Sequence, residues 1–185
     1  MNRDQFDRLL APILPLAYRY AQRLTGNADD GMDLLQDATI DAWKGRESFE
    51  PGTHFKAWFF KIITNRFYRL KQKRGVATVS IEEASEKSSG DLNGALGTND
   101  RSDPALLALQ KLESEKVQQA MDDLPDEFRT AAALYFLADM SYEEISQTLD
   151  VPIGTVRSRL HRGRKLLQTK LIEFAIGTVS EDVYA

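Results

Sequence analysis

A change of composition in the middle of the chain constrains the fold more than any other feature. Residues 75–103 are rich in Gly, Ser, Asn and Thr and carry few large apolar side chains. Such a segment cannot bury enough surface to offset the entropy of ordering it. On either side of it, apolar residues recur every three or four positions, the spacing of helices that bury one face. The sequence therefore predicts an all-α protein: two small helical domains joined by a flexible linker.

The expected domain boundaries follow from this division. A chain of 185 residues has room for one ordinary domain or two small ones. We expect a first domain over residues 1–75, an acidic linker over 76–107 and a second domain over 108–175. Residues 176–185 remain as a tail whose role the sequence leaves open.

Composition and motifs argue against several classes of protein. Without cysteine, the chain has neither disulfides nor thiolate metal sites. Residues 1–16 do not have the pattern of a signal peptide, and no stretch approaches the ~20 consecutive apolar residues that cross a bilayer. We therefore expect a cytoplasmic protein without membrane insertion. The only histidines, His54 and His161, are far apart in sequence, and no phosphate-binding glycine loop is present. The chain is therefore predicted to be no enzyme and to need no cofactor or metal.

Charge is segregated along the chain although the net charge is only −4. Acidic residues cluster in residues 29–41, whereas every charged residue of 56–74 and of 157–170 is basic. Each half thus contains one basic segment. This pattern indicates two surfaces that face a polyanion such as nucleic acid.

Three helical segments are predicted in the first half. The first runs from Phe6 and ends near residues 25–27, the second covers 29–43, and the third covers 55–72 after a loop rich in Gly and Pro. The expected inner stripe of the second segment consists of Met32, Leu35, Thr39, Ala42 and Trp43.

The second half contains the signature of a helix-turn-helix. Ser141 and Glu144 match a capping box that opens a helix through Leu149. A short turn over 150–152 then leads into a second helix over about 153–172. That helix is expected to bury Val156, Leu160, Leu166, Leu167 and Leu171. The polar residues predicted to contact DNA are Thr155, Arg157, Ser158, Arg159, His161, Arg162, Arg164 and Lys165.

The motifs of this half resemble a known family. The run GTVRSRLHRGRKLL at residues 154–167, with LPDEFR at 124–129 and MSYEEIS at 140–146, resembles the promoter-reading domain of extracytoplasmic-function sigma factors. The resemblance implies contact with the minus-thirty-five promoter element. Response regulators carry similar motifs, so a stand-alone helix-turn-helix regulator remains the alternative, and a solvated basic face is the blander interpretation.

The acidic segment of the first half resembles the polymerase-docking helix of the same family. Its sequence is DLLQDATIDAW at residues 33–43. In that family this helix meets the clamp helices of the largest polymerase subunit. The residues expected to form an acidic, partly apolar docking surface are Asp33, Leu34, Gln36, Asp37, Ile40 and Asp41. An ordinary amphipathic helix with an acidic outer face is the alternative for this segment alone.

The third segment, FKAWFFKIITNRFYRLK at residues 55–71, resembles the family helix that holds and melts the minus-ten element. Interleaved rings and cations suit single-stranded DNA, because bases stack on rings while cations follow the backbone. The loop over 45–54 would supply a pocket for a flipped base, although Trp58 is expected to be structural. The residues predicted at this site are Ser48, Phe49, His54, Lys61, Asn65, Arg66, Arg69 and Lys73.

Taken together, the resemblance covers residues 5–75 and 108–172. It implies a sigma factor that binds core RNA polymerase, including the flap of the second-largest subunit, and directs promoter recognition, strand opening and transcription initiation. It also implies promoter DNA and an anti-sigma factor as partners. A pure interaction scaffold is disfavoured, because it leaves the two basic segments unexplained.

Overall fold

The computed structural model describes the backbone of residues 1–73 and 114–181 and the side chains of residues 1–73 and 116–173. Helices and short turns account for the regular structure within these two stretches, and neither contains a strand. The all-α prediction is therefore confirmed. The expected linker over 76–107 and the last residues of the expected tail, 182–185, lie outside the described residues.

The first half is built from four α-helices. They are α1 (Arg3–Leu10), α2 (Leu14–Thr25), α3 (Ala28–Lys44) and α4 (Phe55–Lys73). The sequence predicted one helix where α1 and α2 stand. The structure separates them by a 3₁₀ turn over Ala11–Ile13, because Pro12 and Pro15 cannot donate the backbone hydrogen bonds of a continuous helix. The other two predicted helices are confirmed within one residue at each end.

Helix α2 ends at a glycine, as the sequence predicted. Gly26 has a φ of 83° and donates its backbone N–H to the carbonyl oxygen of Gln22. This left-handed geometry suits glycine at a helix end. Asn27 then caps α3, with its side chain accepting from the backbone N–H of Asp30 at 2.8 Å. The tight reversal sets α2 and α3 side by side.

Large side chains fill the space between α2, α3 and α4. Tyr20, Leu24, Leu34, Phe60 and Ile63 are fully buried there. The hydroxyl oxygens of Tyr20 and Thr64 lie 2.7 Å apart, and burial of its phenol raises the pKa of Tyr20. This core fixes α4 against α3, so that the outer faces of the two helices keep fixed positions relative to each other.

The described residues of the second half form α5 (Ser114–Asp122), α6 (Asp126–Phe136), α7 (Tyr142–Leu149) and α8 (Ile153–Glu181). The predicted capping box is confirmed: Ser141 and Glu144 each bond the other's backbone N–H. Asp150 ends α7 with a φ of 57°, a conformation that Asp tolerates better than most residues. Helices α7 and α8 form the predicted helix-turn-helix.

Helix α8 differs from expectation in its length and in one buried position. It continues to Glu181 rather than stopping near residue 172, because residues 172–181 contain no proline and their one glycine, Gly177, costs only about 1 kcal/mol. The expected tail thus begins inside this helix. Leu166, expected inside, is 41% exposed, whereas Leu167 is buried. Neighbouring helical residues point about 100° apart, and Leu167 shares the inner face with Val156 and Leu160.

The two halves pack against each other. Lys71 of α4 forms an ion pair with Asp126 of α6. Across the same boundary, the guanidinium of Arg129 donates to the carbonyl oxygen of Leu24 at 3.4 Å. The hydroxyl of Thr148 in α7 faces the carbonyl oxygen of Ala57 in α4 at 3.5 Å. Buried apolar residues of both halves form one continuous cluster.

Candidate protein and nucleic-acid interfaces

Helix α3 presents a mixed apolar and polar face to solvent. Met32 is 41% exposed and Ile40 is 50% exposed, and Gln36 lies exposed between them at the four-residue spacing that puts all three on one face. Asp33 is exposed beside them. Exposed apolar groups edged by charge are typical of a surface that receives a protein partner.

The structure contradicts the prediction for two positions of this helix. Leu34, predicted on the docking surface, is 1% exposed and belongs to the core. Met32, predicted inside, lies outside. The buried face is Gly31, Leu34, Leu35, Ala38 and Ala42. This set has regular three- and four-residue spacing. Because glycine and alanine contribute little to an apolar pattern, the sequence favours the larger Met32 as the inner residue.

Arg66 of α4 joins the predicted minus-ten surface to the predicted docking surface. Its Nη2 lies 2.6 Å from Oδ2 of Asp37 and its Nη1 lies 3.1 Å from Oδ2 of Asp41. The hydrogen bond to Asp37 is the main reason that the pKa of Arg66 is raised. Arg69 lies close to the same group, with its Nη2 3.8 Å from Oδ2 of Asp41. Two predicted docking residues are thus paired with two predicted DNA-binding residues.

Further polar side chains of α4 lie on its outer side. Asn65, Arg69 and Lys73 are exposed, and Lys61 is half-exposed with its Nζ 3.9 Å from Oδ2 of Asp150. Residues 65, 69 and 73 follow the four-residue spacing of one helix face. This line of an amide and two cations has the composition required to follow a nucleic-acid backbone.

The loop before α4 brings together only part of its predicted pocket. Phe49 is buried, with its ring centroid 5.3 Å from those of Phe55 and Trp58. It therefore packs beneath the loop rather than offering a free ring to a base, and its burial argues against the predicted contact of Phe49 with minus-ten DNA. The prediction that Trp58 is structural agrees with these contacts. Ser48 and His54 are exposed.

The second helix of the helix-turn-helix separates its predicted contacts into two groups. Exposed members are Arg157, His161, Arg162 and Lys165, and half-buried members are Thr155, Ser158, Arg159 and Arg164. Among the half-buried residues, Arg159 lies 3.6 Å from a carboxylate oxygen of Glu127 in α6. The exposed cations form the surface best placed to meet DNA phosphates and base edges.

A set of polar residues between the two halves was missed by sequence reasoning. Arg23 of α2 faces Asp122 of α5, and burial lowers the pKa of Arg23 and raises that of Asp122. Tyr68 of α4 and Thr130 of α6 lie nearby in the same boundary. Tyr68 and Thr130 are 62 positions apart in sequence, so no local periodicity or motif could indicate such a pair.

No helix within the described residues has the length and apolar character needed to cross a membrane. Over the same residues, no group of three or more His, Asp or Glu side chains is placed to hold a metal ion.

Comparison with known proteins gives matches over both halves. The family model for Sigma-70 region 2 matches residues 9–76, and that for Sigma-70, region 4 matches residues 114–167. The chain is 35% identical over 174 residues to the ECF RNA polymerase sigma factor SigE of Mycolicibacterium smegmatis; this match covers 94% of the chain and 64% of SigE. It is 30% identical to the ECF RNA polymerase sigma factor SigW of Bacillus subtilis, over 92% of the chain and 90% of SigW.

Solved structures show the same arrangement of helices. The sigma factor RpoE of Bartonella quintana, in complex with the anti-sigma factor NepR, superposes with a TM-score of 0.68 at 29% identity, over 90% of this chain and 96% of RpoE. CnrH, in complex with the cytosolic domain of CnrY, gives a TM-score of 0.57 at 21% identity, over 93% and 90%. The second likeness concerns the fold alone.

A chain that carries region 2 in its first half and region 4 in its second has the organisation of a sigma-70 protein. Its relatives narrow this class further: the chain belongs to the extracytoplasmic-function (ECF) sigma factors of RNA polymerase.

Proposed function

We propose that this chain binds core RNA polymerase through the outer face of α3 and directs transcription initiation by holding promoter DNA with α4 and α8. The observation that carries the proposal is the exposed face of Met32, Gln36 and Ile40 on a helix packed directly against the basic α4. A partner bound at this face would lie next to DNA bound on α4, as initiation requires.

Each half has its own part in the proposed function. Asn65, Arg69 and Lys73 would follow the strand of the minus-ten element, and the exposed cations of α8 would meet the minus-thirty-five element in duplex form. The clamp helices of the largest polymerase subunit would receive α3, and the flap of the second-largest subunit would receive the second half. The chemistry of RNA synthesis stays with the polymerase, so the chain contributes binding energy and specificity and is no enzyme.

An anti-sigma factor is the second proposed protein partner. The related RpoE of Bartonella quintana is known in complex with the anti-sigma factor NepR. An inhibitor of that kind would act here by covering α3, α4 or both. Work on RNA polymerase and chromosomal promoters would place the chain in the cytoplasm.

Run-off transcription with purified core polymerase on a promoter library tests the proposal. The wild-type chain is expected to start transcription at a shared two-part motif. The docking variant Gln36→Ala/Ile40→Ala should lower initiation, and Leu9→Ala is its matched control, because Leu9 is also exposed and apolar but lies on α1. Tight binding of the chain alone to duplex DNA, without polymerase-dependent initiation, would instead establish a stand-alone regulator.

A further inference from the structure

Arg66 occupies the boundary between the two binding surfaces of the first half. Its guanidinium projects from α4, the proposed DNA helix, and reaches two aspartates of α3, the proposed docking helix. The distances to Asp37 and Asp41 are 2.6 and 3.1 Å. One cation thus offsets part of the charge of two acids that polymerase would otherwise meet, and Arg69 adds a longer contact of 3.8 Å to Asp41.

The geometry makes this cluster stronger than an ordinary surface ion pair. The side chains of Arg66 and Asp41 are each 29% exposed and that of Asp37 is 44% exposed, so water screens the charges in part. The planar guanidinium uses two separate nitrogens for the two carboxylates, which costs little entropy per hydrogen bond formed. Arg66 is therefore held toward α3 and away from DNA on the outer side of α4.

We infer that Arg66 is a positioning residue that couples polymerase docking on α3 to minus-ten DNA binding on α4. The inference rests on the proposed function and adds a link between its two surfaces. Asp37 and Asp41 are shared by Arg66 and by the cations of a docking partner. Arg66 is in turn shared by the aspartates and by DNA phosphates.

Polymerase and DNA both compete with the bonds between Arg66 and the two aspartates, and this competition makes the coupling positive. Polymerase cations that bind Asp37 and Asp41 weaken their hold on Arg66 and leave its donors available to a phosphate. A phosphate that binds Arg66 leaves the aspartates available to polymerase. Each ligand therefore favours the other, and thermodynamic linkage requires the effect to be equal in both directions.

The experiment measures the affinity of the full chain for core polymerase with and without DNA. The DNA is a short single strand carrying the minus-ten sequence recovered from the promoter library. In the wild type, saturating DNA is expected to tighten core binding about five-fold or more, the usual lower range of coupling between sites. The coupling ratio is the affinity for core polymerase with DNA divided by the affinity without DNA. Arg66→Gln should bring this ratio close to one.

Lys73→Gln is the matched control. Lys73 is an exposed cation of the same helix, so its removal weakens DNA binding by a comparable phosphate contact. Because Lys73 lies on the exposed line of α4 and Asp37 and Asp41 are bonded by Arg66, the coupling ratio should remain that of the wild type. Arg66→Lys keeps the charge but not the two-pronged geometry, and an intermediate ratio is expected.

The possible outcomes separate the inference from the proposed function. A wild-type ratio of one, or an Arg66→Gln ratio equal to the wild-type ratio, overturns the coupling even if core polymerase binds well. Failure of the wild-type chain to bind core polymerase overturns the proposed function and the coupling with it. Thermal unfolding of Arg66→Gln checks folding, and the Arg66→Lys and Lys73→Gln ratios keep the test decisive if that variant is unstable.

Discussion

The phenolic oxygen of Tyr68 lies 3.1 Å from the hydroxyl oxygen of Thr130, and this hydrogen bond joins α4 of region 2 to α6 of region 4. Thr130 donates its own proton to the carbonyl oxygen of Asp126 at 2.6 Å, so Tyr68 is the donor of the shared bond. A tyrosine is already protonated at neutral pH, and burial raises the pKa of Tyr68 further. The bond lies beside the ion pair of Lys71 with Asp126.

These contacts hold the two regions together, and under the proposed function promoter binding would have to undo them. The minus-ten and minus-thirty-five elements are about 25 base pairs apart, or roughly 85 Å of duplex. Helix α4 touches α6 and α7 directly, so under the proposed function the two regions would have to separate to reach their elements. This packed arrangement would then be that of the chain off its promoter.

Breaking the Lys71–Asp126 pair should open the chain. Lys71→Met removes one of the two cations of a largely shielded carboxylate, because Nη2 of Arg129 stays 3.5 Å from Oδ1 of Asp126. The cost should lie between the ~0–1 kcal/mol of an exposed pair and the ~3–5 kcal/mol of a buried one. The chain has no cysteine, so dyes can be attached at Lys44→Cys in region 2 and Gln168→Cys in region 4. Energy transfer between the dyes should fall in Lys71→Met.

The exposed Lys73 provides the control for this measurement. Lys73→Met removes the same charge from the same helix end while leaving the Lys71–Asp126 pair in place, so transfer should match the wild type. Equal transfer in Lys71→Met and the wild type would show that the ion pair does not hold the regions together.

Gly31 of α3 is predicted to tolerate no larger residue. A Cβ at this position would lie 2.8 Å from Cα and 2.9 Å from the backbone nitrogen of Gln22 in α2. Since backbone atoms must move to relieve the clash, Gly31→Ala should lower the free energy of unfolding by about 1–3 kcal/mol. Urea denaturation measures the change.

Gly154 is the matched glycine for that comparison. It lies in the first turn of α8, and nothing stands within 4 Å of a Cβ there. Gly154→Ala should be neutral or stabilise the chain by up to about 1 kcal/mol through the better helix propensity of Ala. Equal effects of the two substitutions would contradict the close packing of α2 on α3.

Truncation of one buried and one exposed side chain should distinguish the inward face of α3, which stabilises the fold, from its outward face, which binds polymerase. Leu34→Ala removes a fully buried side chain and should cost about 2–5 kcal/mol of stability. Met32→Ala, on the exposed face, should change stability by no more than about 0.5 kcal/mol while weakening core polymerase binding. Denaturation curves and polymerase affinity, measured on both variants, check the two expectations. If folded Leu34→Ala loses more affinity for core polymerase than Met32→Ala does, Leu34 belongs to the docking surface after all.

Two arginines of α8, two positions apart, should differ in their effect on DNA. Arg157 is exposed, so Arg157→Ala should weaken promoter binding and reduce the slope of log affinity against log salt by about one for each phosphate that it no longer neutralises. Arg159 is paired with Glu127 at 3.6 Å and only 16% of its side chain is exposed, so Arg159→Ala should mainly lower stability. If both arginines contacted DNA, the two variants would show equal salt slopes. Equal slopes would therefore contradict this division.

Local sequence determined much of this protein. Capping at Ser141, the left-handed stop at Gly26 and the three- and four-residue spacing of apolar residues depend on neighbours within one or two turns, and each was predictable from the chain alone. The motifs of α3, α4 and α8 likewise carry the resemblance to sigma factors within short runs. The all-α fold and the family required nothing further.

Tertiary structure alone decided which residues of those motifs face outward and what they touch. Helical spacing does not say which of two overlapping stripes is buried, so the predicted positions of Leu34 and Met32 are exchanged in the structure. Phe49 was predicted to contact DNA, although it packs against the rings of Phe55 and Trp58. The pairing of Arg66 with Asp37 and Asp41 links residues 29 and 25 positions apart, and that of Lys71 with Asp126 links residues 55 apart. Such contacts arise only when separate helices pack, because the position of each partner is set by the shape of the shared core and not by its distance along the chain.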